Sequence, residues 1–307
     1  MFEDYLPPLT KNPDFTVFWE KSLAQGRGVP LRPEREKCEF PYRSIEVYRI
    51  SYCGYDQTPL IGWFLLPVER SEKLPCVLCY HGFGGAKAFP HHYLPLTDLG
   101  CAVLAMDVRG QNGESGDLTG YRTGGGASVM CHGLLDKEEY YLRRLYIDAV
   151  KAIDFAALQP EVDSGRILVN GGSQGGALSM AAACLDRRVS YCFCDVPSNS
   201  DLPNRVQGFH GSFSAVSDYL KSHPCQEAQV YDTLSYFDLM NMAEWISCPV
   251  FASVGLKDTV CPAKCYYASY NRIRAEKEIH VYPLSGHEGG GAYHDTKKLW
   301  KIKEIIE

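Results

Sequence analysis

Gly171-Gly172-Ser173-Gln174-Gly175-Gly176 lies between an apolar run, Arg166-Ile167-Leu168-Val169-Asn170, and a small-residue run, Ala177-Leu178-Ser179-Met180-Ala181-Ala182-Ala183. The first run reads as a buried strand and the second as a helix packed against it. Strand, tight glycine-rich turn and helix form the setting that a G-x-S-x-G elbow requires. Such a turn forces Ser173 into a strained backbone conformation and lifts its hydroxyl above the sheet, where a base can reach it. Glycines at 171 and 175 let strand and helix approach closely.

Outward from the elbow, seven further short apolar runs join Ile167–Gly171 as strand candidates: 45–51, 60–66, 76–80, 102–107, 191–196, 250–255 and 279–282. The first two alternate or end in turns, as in an antiparallel start. The later ones are continuous, as parallel strands covered on both faces should be. Helical stretches lie between them, the longest being 138–158, with Gln159-Pro160 at its exit. Near the N-terminus, Asp14 is a plausible N-cap for a helix whose Phe15, Phe18, Trp19 and Leu23 share one face. Alternating strands and helices predict an α/β domain with a mostly parallel sheet of eight strands and helices on both faces. No linker divides the chain, so residues 1–307 are expected to form one domain. Its N-terminal helical extension and two excursions, near 109–136 and 197–247, would shape a pocket at the strand ends.

The composition suits such a domain: 307 residues, 45% hydrophobic and 22% charged, with no run long enough to span a bilayer. The start, Met1-Phe2-Glu3-Asp4-Tyr5, lacks the basic-then-apolar layout of a signal peptide, which predicts a cytoplasmic protein. Many of the 13 cysteines fall inside apolar runs, Cys76, Cys79, Cys101, Cys192 and Cys194 among them. They read as small buried hydrophobes in a reducing compartment, and no metal site or cofactor is expected. A net charge of −6 without a basic stripe argues against nucleic acid and anionic lipid as partners.

A serine hydroxyl needs a histidine to take its proton and a carboxylate to orient that histidine. On a sheet of this kind the chain order is Ser, acid, His. His287 is the histidine in a turn just after the last strand candidate, while His210 and His223 fall in the long excursion and His280 inside a strand. His294 is the second choice. Asp258 follows one buried strand, and Asp195, its rival, ends another. Asp258 also reads as a turn or cap residue before Pro262, and serves both roles only if its side chain points inward. A tetrahedral intermediate needs two donors. The N–H of Gln174 supplies one, and the loop Tyr80-His81-Gly82-Phe83-Gly84-Gly85 the other. His81 reads better as a loop-shaping residue than as a catalytic one. Arg109, in Asp107-Val108-Arg109-Gly110-Gln111, pairs with a buried carboxylate or sits solvated in its loop, and spacing alone does not choose.

Three motifs in order, Arg109-Gly110-Gln111, Gly171-Gly172-Ser173-Gln174-Gly175 and His287-Glu288, resemble carbohydrate esterase family seven, the acetyl xylan esterases and cephalosporin C deacetylases. So do the flanking segments Leu135-Asp136-Lys137, 233–238 and 14–19. The resemblance implies an α/β-hydrolase fold, a triad of Ser173, Asp258 and His287, and oxyanion donors from the backbone of Phe83 and Gln174. It makes Arg109-Gly110-Gln111 a brace for the catalytic loops. It also implies deacetylation of short xylo-oligosaccharides and small acetyl esters, and assembly as hexamers with sites facing a shared interior. Phe83 stands where the family leads one to expect tyrosine, which keeps a backbone donor and loses a hydroxyl. Gly289-Gly290-Gly291 after His287-Glu288 is a more flexible run than expected and leaves the pocket shape open.

The sequence therefore predicts a serine esterase acting on small acetylated substrates, which the resemblance implies are acetylated sugars. Its rivals are a broad carboxylesterase or deacetylase of another metabolite, a peptidase on the same fold, and a catalytically dead binding protein. Tyr93, Tyr121 and Tyr219 are candidates for stacking on sugar rings or for internal packing.

Overall fold

The computed structural model describes residues 2–307. The strands are β1 (Glu34–Cys38), β2 (Ile45–Cys53), β3 (Pro59–Pro67), β4 (Leu74–Tyr80), β5 (Ala102–Met106), β6 (Val162–Gly172), β7 (Val189–Asp195), β8 (Val250–Gly255) and β9 (Lys277–Tyr282). The helices are α1 (Phe15–Gly28), α2 (Leu94–Asp98), α3 (Tyr141–Leu158), α4 (Gln174–Leu185), α5 (Leu202–Gln207), α6 (Ser214–Ser222), α7 (Glu227–Ser235), α8 (Ala263–Tyr270) and α9 (Gly291–Ile306).

The strands form one sheet in the order β1-β2-β3-β5-β4-β6-β7-β8-β9, antiparallel from β1 through the β3–β5 pair and parallel beyond. This is the α/β-hydrolase fold, with nine strands where the sequence predicts eight. The extra one, β1, is Glu34-Arg35-Glu36-Lys37-Cys38, exposed along four of its five residues. An edge strand with water on both faces needs no apolar alternation, and its charges discourage pairing with another sheet. The remaining strand runs are in place, several extended by polar residues at their ends.

Two apolar cores lie on opposite faces of the sheet. The larger holds α1, α3 and α4 against residues such as Cys76, Leu78 and Val169. The smaller gathers Val77, Cys79 and Leu168 under Tyr93, Leu96 and Ile302. Cys76-Val77-Leu78-Cys79 has the C-x-x-C spacing, but on a strand residues three apart point to opposite faces. Cys76 accordingly belongs to one core and Cys79 to the other.

Helix α1 buries Phe15, Phe18 and Trp19, and the Trp19 indole N–H donates to the Tyr236 carbonyl at 3.0 Å. Losing such a buried aromatic costs about 3–5 kcal/mol. Asp14 precedes the helix but makes no side-chain cap. Its carboxylate instead takes Lys137 Nζ at 2.6 Å and the Tyr236 hydroxyl. Helix α3 begins at Tyr141, three residues later than predicted, because Glu138 and Glu139 lie in a turn closed onto Asp136.

The parallel strands end in step. Tyr80 pairs with Gly171, Gly172 with Asp195, and Asp195 with Ser253. The loops after β4, β5, β6, β7, β8 and β9 therefore emerge along one edge of the sheet, where ligands bind on open α/β sheets.

Candidate active site

Ser173 is the one residue between β6 and α4, with φ 58° and ψ −120°. Its N–H donates to the Asp195 carbonyl at 2.9 Å, and its own carbonyl accepts from Ala177 and Ser198, each at 3.0 Å. A non-glycine residue in this conformation costs on the order of 1–3 kcal/mol, held in place by its surroundings. The flanking glycines are there for space. A Cβ on Gly175 would come within 2.0 Å of the Tyr80 carbonyl oxygen, and one on Gly171 within 2.4 Å of Gly175.

Asp258 and His287 follow β8 and β9 in adjacent loops. His287 Nδ1 donates to Asp258 Oδ2 at 2.8 Å. Asp258 Oδ1 accepts the N–H groups of Val260 and Cys261, both at 2.8 Å. The carboxylate thus closes its own turn and orients the histidine at once, which the sequence allowed only if the side chain turned inward. Ser173 and His287 line one cavity of about 560 Å³ with Gly82, Phe83, Gln174 and Cys261. Ser173 Oγ rests 3.8 Å from Cys261 Sγ, a neighbour that nothing in the sequence singled out. No hydrogen bond joins Ser173 to His287 among the described residues. The N–H groups of Phe83 and Gln174 face no other acceptor among the described residues.

Asp195 takes a different partner. Its Oδ1 meets His294 Nε2 at 2.8 Å and its Oδ2 meets Lys298 Nζ at 2.5 Å. Burial works against its charge, but Lys298 and His294 outweigh burial and hold the carboxyl down at about 2. His294 Nδ1 bonds the Tyr282 hydroxyl at 3.0 Å, so both ring nitrogens are occupied. These residues pin the first turns of α9 to the end of β7. The run Gly289-Gly290-Gly291 lies just before them, and it is not a loose segment. All three residues have positive φ, and a Cβ on Gly290 would strike the Tyr282 ring at 2.4 Å.

His81 accepts the Val108 N–H on Nε2 at 2.9 Å and donates from Nδ1 to the Gly82 carbonyl at 2.8 Å. Burial pushes its pKa below the ordinary value. It is a neutral clasp between the loops after β4 and β5. His210 bonds the Thr259 carbonyl through Nδ1, and His280 packs on Phe251 within the sheet.

Arg109 is fully buried. Its Nε and Nη2 bind the two oxygens of Asp148 at 2.6 and 3.0 Å, and Nη1 binds Asp56 at 2.9 Å and Asp117 at 3.3 Å. Burial opposes the charge, but Asp148 and Asp56 more than restore it and raise the guanidinium far above its usual range. Asp56, although burial works against its charge, is held well below the usual carboxylate range by Arg109. Removing one partner of such a buried pair costs about 3–5 kcal/mol. The Arg109 carbonyl accepts the Tyr141 hydroxyl at 2.6 Å. Gln111 completes the brace: its Oε1 accepts the Gly84 N–H at 2.8 Å, and its Nε2 donates to Gln174 Oε1 at 2.8 Å and to the Tyr141 hydroxyl at 3.0 Å. One amide thus ties the loop carrying Phe83 to the residue after Ser173. Asp148 was the unread signal: a carboxylate inside the apolar face of α3 requires a buried partner.

A family model for acetyl xylan esterases (AXE1) matches residues 1–304. The chain belongs to this family. It is a carboxylic ester hydrolase. It is 30% identical over 312 residues to the acetyl esterase Axe7A of Xylanibacter ruminicola, spanning 98% of this chain and 70% of that protein. Among solved structures, an acetyl xylan esterase from a Paenibacillus species superposes with a TM-score of 0.95 at 35% identity, covering 100% of this chain and 98% of that one. Acetyl xylan esterase 1 from a Thermoanaerobacterium species gives 0.94 at 29% identity, with the same coverage.

Proposed function

We propose that the chain is a serine esterase that removes acetyl groups from short acetylated xylo-oligosaccharides, with Ser173, His287 and Asp258 as its triad. One observation carries this reading: the Asp258–His287 pair opens into the cavity over which the strained Ser173 projects. Asp258 fixes the proton on His287 Nδ1 and leaves Nε2 to take the proton of Ser173 Oγ. The oxygen attacks the acetyl carbonyl, and the negative charge that develops is met by the N–H groups of Phe83 and Gln174. His287 then protonates the departing sugar oxygen. Water, activated by the same histidine, releases acetate from Ser173. Arg109, Gly110 and Gln111 hold the two donor loops in register and do not touch the substrate.

The names of the similar proteins support acetylated xylan fragments as the substrate class, and the cavity volume leaves room for a leaving group much larger than acetate. Cephalosporin C, a small acetyl ester, belongs to the same proposal. So do a single domain over 1–307, a cytoplasmic setting, a homohexameric assembly, independence from cofactor and metal, and no nucleic-acid or membrane partner. No helix among the described residues is long and apolar enough to cross a membrane.

The test is acetate release from acetylated xylo-oligosaccharides beside p-nitrophenyl acetate and butyrate, with Ser173→Ala as the control. Fast release from the sugars and the acetate ester, weak action on butyrate and an inactive variant are expected. Activity on simple esters with none on sugars would discard the carbohydrate substrate and leave a general esterase. Full activity in Ser173→Ala would discard the triad.

A further inference from the structure

A second cavity, of about 530 Å³, adjoins the first and shares Ser128 and Ala215 with it. One wall is the loop through Gly124, Gly125 and Gly126; the other is the outward side of α6 with Tyr219 and His223. Cys131 Sγ donates to the Ala215 carbonyl at 3.4 Å and ties the two walls together. We propose that this groove is a saccharide subsite that holds a neighbouring xylosyl unit of the substrate whose acetyl group lies at Ser173. The proposal rests on the deacetylase reading above.

The chemistry of the walls selects a neutral, polyhydroxylated ring. Tyr219 and His223 lie face to face, with centroids 4.3 Å apart and planes 18° from parallel. Both are held rigidly: the Tyr219 hydroxyl donates to Gln226 Oε1 at 2.6 Å, and His223 Nδ1 bonds the Tyr219 carbonyl at 3.0 Å. A fixed flat platform beside hydroxyl and carboxylate acceptors suits a sugar, which has apolar C–H faces and a polar rim. Asp218 and Ser222 supply that rim. The lining residues include no lysine or arginine among the described residues, and the nearby Lys221 is paired with Asp218 at 2.9 Å, so the groove offers no unpaired lysine or arginine to an anion. The opposite wall carries no side chain at 124–126, and a Cβ on Gly125 or Gly126 would meet nothing within 4 Å. That leaves space for a ring between backbone and aromatic pair. Tyr121 and Tyr93, the other two stacking candidates in the sequence, are occupied elsewhere. Tyr121 donates to Asp117 at 2.6 Å, and Tyr93 is buried in the smaller core.

Binding energy gathered away from the reacting bond is expressed in the specificity constant, so a filled subsite favours longer substrates. The experiment compares kcat/KM for acetylated xylose, xylobiose and xylotetraose with that for p-nitrophenyl acetate, in the wild type, Tyr219→Ala and Ala127→Trp. Tyr219→Ala removes the platform, and Ala127→Trp fills the groove from an exposed loop position. The wild type should favour xylotetraose over xylose by about tenfold, and both variants should erase most of that preference. A preference that is absent from the wild type, or that survives in both variants, overturns the subsite while leaving the deacetylase intact. No release from any acetylated sugar overturns both. If Tyr219→Ala fails to fold, Ala127→Trp decides alone.

Discussion

Two aspartate–histidine pairs stand at the ends of neighbouring strands, and only one of them opens into the cavity lined by Ser173. Asp258–His287 and Asp195–His294 have the same 2.8 Å contact. The difference lies at the other ring nitrogen and at the other carboxylate oxygen. The His287 side chain is 35% exposed and opens to the cavity over Ser173, whereas the His294 side chain is 2% exposed and its second nitrogen is taken by Tyr282. The free Asp258 oxygen meets backbone N–H groups, while that of Asp195 meets the cation of Lys298. A pair with a spare basic nitrogen in a cleft can move a proton; a pair with every atom committed can only hold two elements together.

The sharpest way to break this contrast is to exchange alanine for each histidine. His287→Ala should lower kcat on p-nitrophenyl acetate by ~10⁵–10⁶-fold, while His294→Ala leaves the protein that remains folded within about tenfold of wild type. Steady-state kinetics beside circular dichroism reads both, and comparable losses in the two variants would erase the distinction. Asp258→Asn should cost ~10⁴-fold in kcat with an unchanged melting temperature, since it spoils the tautomer and little else.

Asp195→Asn should act on stability instead, by about 3 kcal/mol at neutral pH, because the buried Lys298 then loses its nearer counter-charge and keeps only Asp295 at 3.5 Å. The pH dependence has a definite sign. The folded carboxyl, at about 2, lies below the ordinary value of ~3.9, so its contribution is complete above pH ~4 and is lost as the pH falls toward 2. Urea midpoints measured from pH 5 to 2 should therefore fall less steeply in the asparagine variant than in the wild type, and parallel curves would contradict the pairing. The smallest effect is expected at Gln111→Ala: a decrease of about tenfold in kcat with KM nearly constant, as the loop carrying Phe83 loses its tie to Gln174.

The same contrast explains what could be read from the chain alone. The elbow was legible because its requirements are local: glycines 171 and 175 meet the Tyr80 carbonyl, and a strand and a helix flank them. The meeting of His287 with Asp258 could be expected from chain order and from the place of His287 in a turn. Asp258 was separable from Asp195 by position, but the reason that separates them, Lys298 and Tyr282 closing around the second pair, comes from α9 and β9 and has no local trace. Arg109 stayed undecided for a similar cause, since two of its three carboxylates, Asp148 and Asp56, lie 39 and 53 residues away. Strand β1 was missed because a strand wet on both faces carries no hydrophobic period. The glycine run 289–291 was misread because glycine content signals flexibility only where the backbone is uncrowded, and here Tyr282 and Val196 fill the space beside it.

Ser173 is fastened on both sides of its peptide: its N–H to Asp195, its carbonyl to Ala177 and Ser198. All three bonds join backbone groups, none of which titrates. The torsional energy at residue 173 is therefore met during folding, by bonds that depend on no side chain. With Ser173 as the proposed nucleophile, each cycle begins with the hydroxyl already aimed, so the chain does not have to search for that arrangement again between one substrate molecule and the next.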